Sequence, residues 1–327
     1  MNKKTLLELL RQGRYVSGAE LGQRLGVTRA AVSKAIAGLR REGYVIDSVP
    51  NRGHLLRVEP ELLDRDAICS ALADHPWTPL LQVLPSVDST NTRLKALAAA
   101  GAPHGTVLAA DEQTGGRGRL GRTFDSPPGS GIYLSVLLRP LCRPETLLNL
   151  TAQAAVATRQ AIRAVCGVDA GIKWVNDLVL GGKKICGILT ELSLEAESGL
   201  VSYVVVGVGV NCSRPAEQFP PALRQTAGSI WSQTGLRVNR NELTAAMIRA
   251  LSALPALDWQ TEYRAACVNL GQAVQILAPG QPPRQGQALD VDADAALLVQ
   301  TEAGIERIQS GEVSVRGLYG YVPDSHG

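Results

Sequence analysis

Aromatic residues are scarce, at 4% of 327 residues, with two Phe and four Trp. Aliphatic and alanine packing must therefore build the interior, and the chain is long enough for a sizeable core. Charged residues make up 19% and apolar residues 45%, which excludes a disordered or fibrous chain. No apolar run reaches roughly 18 residues, so no helical membrane span is expected. Met1-Asn2-Lys3-Lys4 leads straight into an amphipathic pattern without an apolar h-region. No signal peptide is expected, and the expected location is cytoplasmic. The six cysteines, at 69, 142, 166, 186, 212 and 267, include no C-x-x-C pair. Their wide spacing argues against a zinc site or a disulfide framework, and reduced thiols are expected.

Positive charge is unevenly placed. The net charge is +3, yet residues 1–62 hold eleven Lys/Arg against six Asp/Glu, a surplus of five that leaves −2 for the rest. A basic module on a near-neutral body suits a polyanionic partner. Leu6, Leu7, Leu9 and Leu10 predict a first helix over Thr5 to Arg11. Ser17-Gly18-Ala19-Glu20 reads as a capping box opening a second helix to Leu25. Gly26 turns the chain, and Thr28 caps a third helix, Arg29 to Arg41, with Val32, Ile36 and Leu39 on one face. The result is a helix-turn-helix over Gly18 to Ala37 that presents Thr28, Arg29, Ser33 and Lys34 to DNA. Tyr44–Asp47 and His54–Val58 flank turn residues and predict a hairpin wing, with Arg52 at its tip for a phosphate. A small helical domain for protein contacts is the plainer alternative.

The next stretch, 63–268, is organised around Thr114-Gly115-Gly116-Arg117-Gly118-Arg119-Leu120-Gly121-Arg122, between strands at Thr106–Ala110 and Ile132–Leu138. Glycine backbone approaches a ligand closely, and consecutive N–H groups form anion nests. Arginine adds a planar fork for carboxylate or phosphate. On its own such a loop is as readily a solvated basic tether. Asp88-Ser89-Thr90-Asn91 stands at a helix start, where small polar side chains either cap the helix or meet a ligand. Lys173-Trp174-Val175-Asn176-Asp177 reads as a strand and a polar loop, Gly181-Gly182 as a hairpin turn, and Lys183 to Leu192 as the next strand. Tyr203 to Asn211 is a strand with Gly207 and Gly209 on one face, leaving a groove that the Asn211 amide closes. Further helices are predicted from Pro144 to Cys166, Asn241 to Ala253 and Asp258 to Cys267. Phe219, Trp231, Trp259 and Tyr263 are expected in the core. Past residue 269, four short strands suit a small β-barrel, and Tyr321 to Gly327 a frayed end.

Five segments in this order resemble the biotin–protein ligases: Asp88 to Asn91, Gln113 to Arg122, Lys173 to Asp177, Lys184 to Leu189 and Gly207 to Asn211. The winged module in front makes the chain similar to the bifunctional branch, both biotin ligase and biotin-operon repressor. The resemblance implies an α+β fold in three parts. These are a winged helix-turn-helix (1–62), a central mixed sheet with helices like the class II aminoacyl-tRNA synthetases (63–268), and an SH3-like β-barrel (269–327). It also implies a reaction using ATP and Mg²⁺: biotin becomes biotinoyl-5′-AMP and then passes to a lysine of the biotin carboxyl carrier protein. Arg117, Arg119 and Lys184 would be catalytic. Ser89, Thr90, Asn91, Gln113, Gly118 and Gly187 would join them around biotin. Arg119, Arg122, Asn176, Asp177, Gly207, Gly209 and Asn211 would hold the adenylate, with Asp177 a candidate oxygen ligand for Mg²⁺. Lys183 would be solvated.

The adenylate-bound form would be a homodimer on operator DNA, and no membrane partner is implied. Val175 and Phe124 stand where the family usually has Pro and Trp, which predicts altered affinity with activity kept. Two rivals share part of this pattern. A lipoate–protein ligase has the same reaction type, and the Gly/Arg loop with its fused winged helix argues against it. A ligand-sensing repressor without catalysis would not need Arg117, Arg119 and Lys184 together.

Overall fold

In the computed structural model, residues 3–41, 44–50, 52–58, 62–254, 257–278, 280–310 and 314–317 are described. Helices α1 (Lys3–Leu10), α2 (Gly18–Leu25) and α3 (Arg29–Arg41) precede the hairpin β1 (Val45–Val49) and β2 (Gly53–Val58). Leu6, Leu7, Leu10, Leu21, Val32, Ile36 and Leu39 turn helical periodicity into a core of their own. The α2–α3 turn is tight for two reasons. Gly26 caps α2 at φ +63°, and Gly22 lacks a Cβ that would stand 2.7 Å from Val27 O. Ser17 Oγ accepts from the Glu20 N–H at 3.1 Å, but Glu20 does not reach back. Its carboxylate binds Arg14 at 2.7 Å instead, so only half of the expected capping box forms. Residues 59–61, where the first module meets the next, lie outside the described residues.

The central sheet has seven strands in the order β3-β4-β5-β9-β8-β7-β6, and only β3–β4 is parallel. They are β3 (Leu81–Leu84), β4 (Val107–Ala110), β5 (Gly131–Leu138), β6 (Gly171–Lys173), β7 (Asp177–Leu180), β8 (Lys183–Leu194) and β9 (Val201–Asn211). Helices α4 (Arg65–Leu72), α6 (Leu150–Cys166), α8 (Arg240–Ser252) and α9 (Trp259–Ala266) share the larger core. Helix α5 (Thr90–Ala99) packs on the other face. The alternation along β9 explains the division. Val204, Val206, Val208 and Val210 enter the larger core, whereas Val205 meets Leu94 and Ala98 of α5. Gly207 and Gly209 continue the Val205 face towards the start of α5, and that is where a cavity opens.

Two further expectations need correction. The helix predicted from Pro144 begins at Leu150; Pro144–Leu147 is a separate 3₁₀ turn. Thr146 Oγ1 donates to Arg143 O at 2.7 Å, a local bond that competes with helix. Trp231 is 37% exposed, because α7 (Ile230–Thr234) is one short turn that buries Ile230 alone. Trp259, Tyr263 and Phe219 are buried as expected.

The last part is a five-stranded antiparallel sheet, ordered β13-β12-β11-β10-β14. Its strands are β10 (Ala273–Leu277), β11 (Arg284–Val291), β12 (Leu297–Thr301), β13 (Gly304–Ile308) and β14 (Ser314–Gly317). The unforeseen edge strand β13 carries Glu306 and Arg307 next to Ile305, which is 64% exposed. Residues 311–313 and the expected frayed end lie outside the described residues. Val274, Ile276, Leu297 and Val299 belong to the same core as the central sheet. Arg264 pairs with Asp290 at 2.6 Å, and Trp174 Nε1 donates to Ala295 O at 2.9 Å. Among the described residues, no helix is long and apolar enough to cross a membrane.

Candidate active site

The first cavity lies where α5 begins above the glycine face of β9. Ser89 caps the helix: its Oγ accepts the Thr92 N–H at 3.4 Å. Gln113 Oε1 accepts from Thr90 N at 2.9 Å and from Thr90 Oγ1 at 3.1 Å, while Gln113 Nε2 donates to Ser126 Oγ at 3.0 Å. Asn91 Nδ2 donates to Leu189 O at 3.2 Å and to Glu191 Oε2 at 2.9 Å. Ser89 thus caps the helix, and Ser89, Thr90 and Asn91 all line the cavity. The groove over Gly207 and Gly209 is partly filled by neighbours. A Cβ on Gly207 would stand 2.1 Å from Asn91 Oδ1, and one on Gly209 2.6 Å from the Phe124 ring. The glycines therefore seat two side chains that wall the cavity.

The Gly/Arg loop closes over this site. Gly118 N donates to Arg122 O at 2.7 Å and Phe124 N to Gly116 O at 2.9 Å. Arg117 is exposed at the rim. Arg119 turns inward: Nη1 donates to Asn176 Oδ1 at 3.0 Å, and Nη2 to Ser310 O. Burial lowers the Arg119 pKa, Asp177 opposes the shift and Arg122 adds to it; a guanidinium keeps its charge through such a shift. Lys184 Nζ stands 2.7 Å from Asp177 Oδ1. That oxygen makes no well-aligned hydrogen bond, so the contact is an ion pair only. A bulge aims Lys184 there, because Leu178 pairs with Cys186 but Val179 pairs with Lys184, leaving Ile185 as the extra residue. Lys183 is not solvated as expected. It is half-buried and donates to Arg224 O at 3.0 Å and Gln225 O at 2.6 Å. The chain after Arg224 covers that side of the strand, with Lys184 N donating to Thr226 O at 2.8 Å.

A second cavity adjoins the first. Gly118, Arg119, Phe124, Asn176 and Lys184 line both. Arg122, Asp177 and Asn211 line the second alone; Gly207 and Gly209, grouped with them by resemblance, line the first. Asn211 Nδ2 donates to Gly228 O at 3.0 Å. Trp174, Phe219, Leu223 and Ala227 supply apolar surface. The sequence reading assigned Phe219 to the core alone. It is 2% exposed, with the Arg214 guanidinium 4.5 Å from its ring centre, and still borders the cavity. The Trp174–Val175 peptide, where the resemblance expects proline, is cis. Among the described residues, no group of three His, Cys, Asp or Glu could hold a metal.

In the first module, Thr28, Arg29, Ser33 and Lys34 are all exposed on or beside α3. Arg52 sits at the wing tip with its guanidinium 4.6 Å from the Tyr15 ring centre. Arg40 is turned to the wing, donating to Ile46 O at 3.0 Å and Ser48 Oγ at 2.6 Å. His54 is a wing-strand residue, as expected.

Fold and site together define a class: a ligase-type α+β domain with paired cavities, preceded by a helix-turn-helix module and followed by a small antiparallel sheet. Three family models match in the same order. They are an HTH domain over residues 2–55, the biotin/lipoate A/B protein ligase family over 83–211, and the biotin protein ligase C-terminal domain over 270–316. The chain is 33% identical to the bifunctional ligase/repressor BirA of Bacillus spizizenii, over 96% of this chain and 98% of that one. It is 32% identical to the biotin–[acetyl-CoA-carboxylase] ligase of Mycobacterium tuberculosis, over 79% and 97%. The structure of the Aquifex aeolicus biotin protein ligase in complex with biotin and ATP matches with a TM-score of 0.62 at 30% identity, over 72% and 98%. The chain belongs to the biotin–protein ligase family, in its bifunctional ligase/repressor form.

Proposed function

We propose that this protein is a cytoplasmic ATP-dependent biotin–protein ligase and a biotin-operon repressor, with modules at 1–62, 63–268 and 269–327. The observation that carries the reading is the junction of the two cavities at Arg119 and Lys184. Biotin occupies the first cavity and the adenosine phosphates the second. The carboxylate oxygen attacks the α-phosphorus there, and pyrophosphate leaves. Two anions must meet, so fixed positive charge at the junction is what the step needs. Arg119 and Lys184 supply it from inside, and Arg117 and Arg122 from the rim. Lys184 then stays beside the mixed anhydride and stabilises the oxyanion as the acceptor lysine attacks and AMP leaves. The closed loop keeps water from the anhydride.

Asp177 suits Mg²⁺ as a single carboxylate. Mg²⁺ is commonly held by one or two carboxylates together with substrate phosphates, and Asp177 Oδ1 has no well-aligned donor. When bound, the ion would offset phosphate charge. The acceptor is the biotin carboxyl carrier protein of acetyl-CoA carboxylase. With biotinoyl-5′-AMP bound, the chain forms a homodimer, and α3 and the wing of each copy meet one operator half-site. Incubation with biotin and MgATP should release pyrophosphate, and an added carrier domain should become biotinylated. Transfer of lipoate alone would overturn the ligase reading. DNA affinity that is the same with and without biotin plus ATP would remove the corepressor role.

A further inference from the structure

Glu191 lies beyond the cavity floor and belongs to none of the motifs above. It is three-quarters buried on β8 and holds two groups. Oε1 accepts from Lys95 Nζ at 2.5 Å, and Oε2 accepts from Asn91 Nδ2 at 2.9 Å. An amide has two donor hydrogens and two acceptor lone pairs. Both hydrogens of Asn91 are used, one on Glu191 and one on Leu189 O at 3.2 Å. The Ser135 hydroxyl has one proton and two acceptors in reach, Asn91 Oδ1 at 2.6 Å and Thr90 Oγ1 at 2.8 Å, so it occupies at most one lone pair of Oδ1. The flipped amide is ruled out by charge: its oxygen would face a carbonyl and a carboxylate, with no proton at either. Towards the cavity Asn91 therefore offers no donor and at least one acceptor lone pair.

We infer that Glu191, acting through Asn91, is a specificity-determining positioning residue that makes the floor of the first cavity read a ligand N–H. The inference rests on the biotin reading and deepens it. A cyclic urea carries N–H donors that satisfy this lone pair, whereas the dithiolane ring of lipoate has none. A buried polar group left unpaired by a ligand that lacks its partner is the strongest discriminator a pocket has. Lys95 keeps Glu191 in its acceptor form, and Gly207 leaves the space in which Asn91 stands.

The test is a double-variant cycle on the full chain, measured as biotin-dependent pyrophosphate release. Glu191→Leu should raise KM for biotin about tenfold and leave kcat within about twofold, the loss of one such bond in both ground and transition states. Glu191→Gln keeps an acceptor for Asn91 and should stay within about threefold of the parent KM. In an Asn91→Ala background, Glu191→Leu should change KM by less than about twofold, since the group it acts through is gone. Equal effects of Glu191→Leu in both backgrounds, or parallel loss in kcat and KM, would overturn this inference while the ligase reading stands. No pyrophosphate release from biotin by the parent chain would remove both.

Discussion

Arg240 is the bulkiest of the fully buried side chains, at 1% exposed, and its partner Asp111 is 4% exposed. Arg240 Nη2 donates to Asp111 Oδ1 at 2.6 Å and Nε to Gly131 O at 2.8 Å. Asp111 Oδ2 accepts the Gly129 N–H at 2.9 Å. The pair thus clamps both stems of the segment that carries the Gly/Arg loop. Arg240→Met keeps much of the volume but strands the carboxylate. Breaking one side of a buried pair costs about 3–5 kcal/mol, because the remaining charge is left without compensation. That is a large part of the roughly 5–15 kcal/mol that holds a domain folded. The assay is urea unfolding followed by tryptophan fluorescence, with the transition of the central part fitted alone, since a chain of several modules need not unfold in one step. The double variant Asp111→Leu/Arg240→Met should recover most of the loss, because apolar replacement of a whole buried pair is often neutral. A single-variant loss below about 1 kcal/mol, or a double variant no better than the single, would refute the reasoning.

Four further outcomes are expected. Gly207→Ala puts a Cβ 2.1 Å from Asn91 Oδ1, where three hydrogen bonds prevent retreat. Overpacking of about 1–3 kcal/mol should appear as weaker biotin binding in calorimetry, and affinity equal to the parent would contradict it. Arg119→Ala should speed release of the adenylate by far more than Arg24→Ala, measured by filter retention; Arg24 is exposed in α2 and pairs with Glu20. Burial pushes the Cys212 thiol up to about 12 and those of Cys166 and Cys267 to about 11. At about pH 8 their thiolate fractions are near or below 1 in 1000, so iodoacetamide mapped by mass spectrometry should leave them last, and rapid labelling of Cys212 would count against the burial. For Glu191, burial pushes the carboxyl up, but the Lys95 and Asn91 bonds outweigh it and hold it below the usual carboxylate range. Its contribution is present above the unfolded value and lost as pH falls through the lower folded one. Biotin KM should then stay flat from about pH 8 to 5, and a rise within that window would point to another group.

What the sequence made legible was pattern, and what it hid was partnership. Val32, Ile36 and Leu39 predicted a buried helix face, and they are buried because 3.6-residue periodicity decides that locally. Gly207 and Gly209 announced close approach, but which groups approach depends on α5 and the Gly/Arg loop folding back from over 80 residues away. Glu191, Ser135 and Phe219 carried no motif. Their roles exist only because β5 and β8 bring Ser135 and Glu191 to Asn91, and the 215–221 segment borders the second cavity. Lys183 was misread for a related reason: its place on a strand does not say what covers it, and the chain at Arg224 and Gln225 does. The Glu20 side chain failed its predicted capping role because Arg14, six residues earlier, offers an ionised donor to its carboxylate where the backbone N–H is neutral.

The same distinction separates two arginines of the loop. Arg117 is exposed at the rim, so an arriving carboxylate costs it little beyond ordering. Arg119 already spends its guanidinium on Asn176 Oδ1 and on Ser310 O of the last module. Both partners are neutral oxygens. A phosphate or carboxylate oxygen brings a full negative charge to the guanidinium, which neither neutral oxygen does, so exchange toward a bound anion is downhill. That exchange would release Ser310 from the loop and Asn176 from Arg119, while Asn176 Nδ2 keeps its bond to Ile188 O at 3.0 Å. Under the ligase reading, the inner arginine is thus the element through which an occupied site is felt by the C-terminal sheet. An Arg119→Lys variant separates this from simple charge provision, since lysine keeps the charge but loses the planar fork that reaches two partners at once.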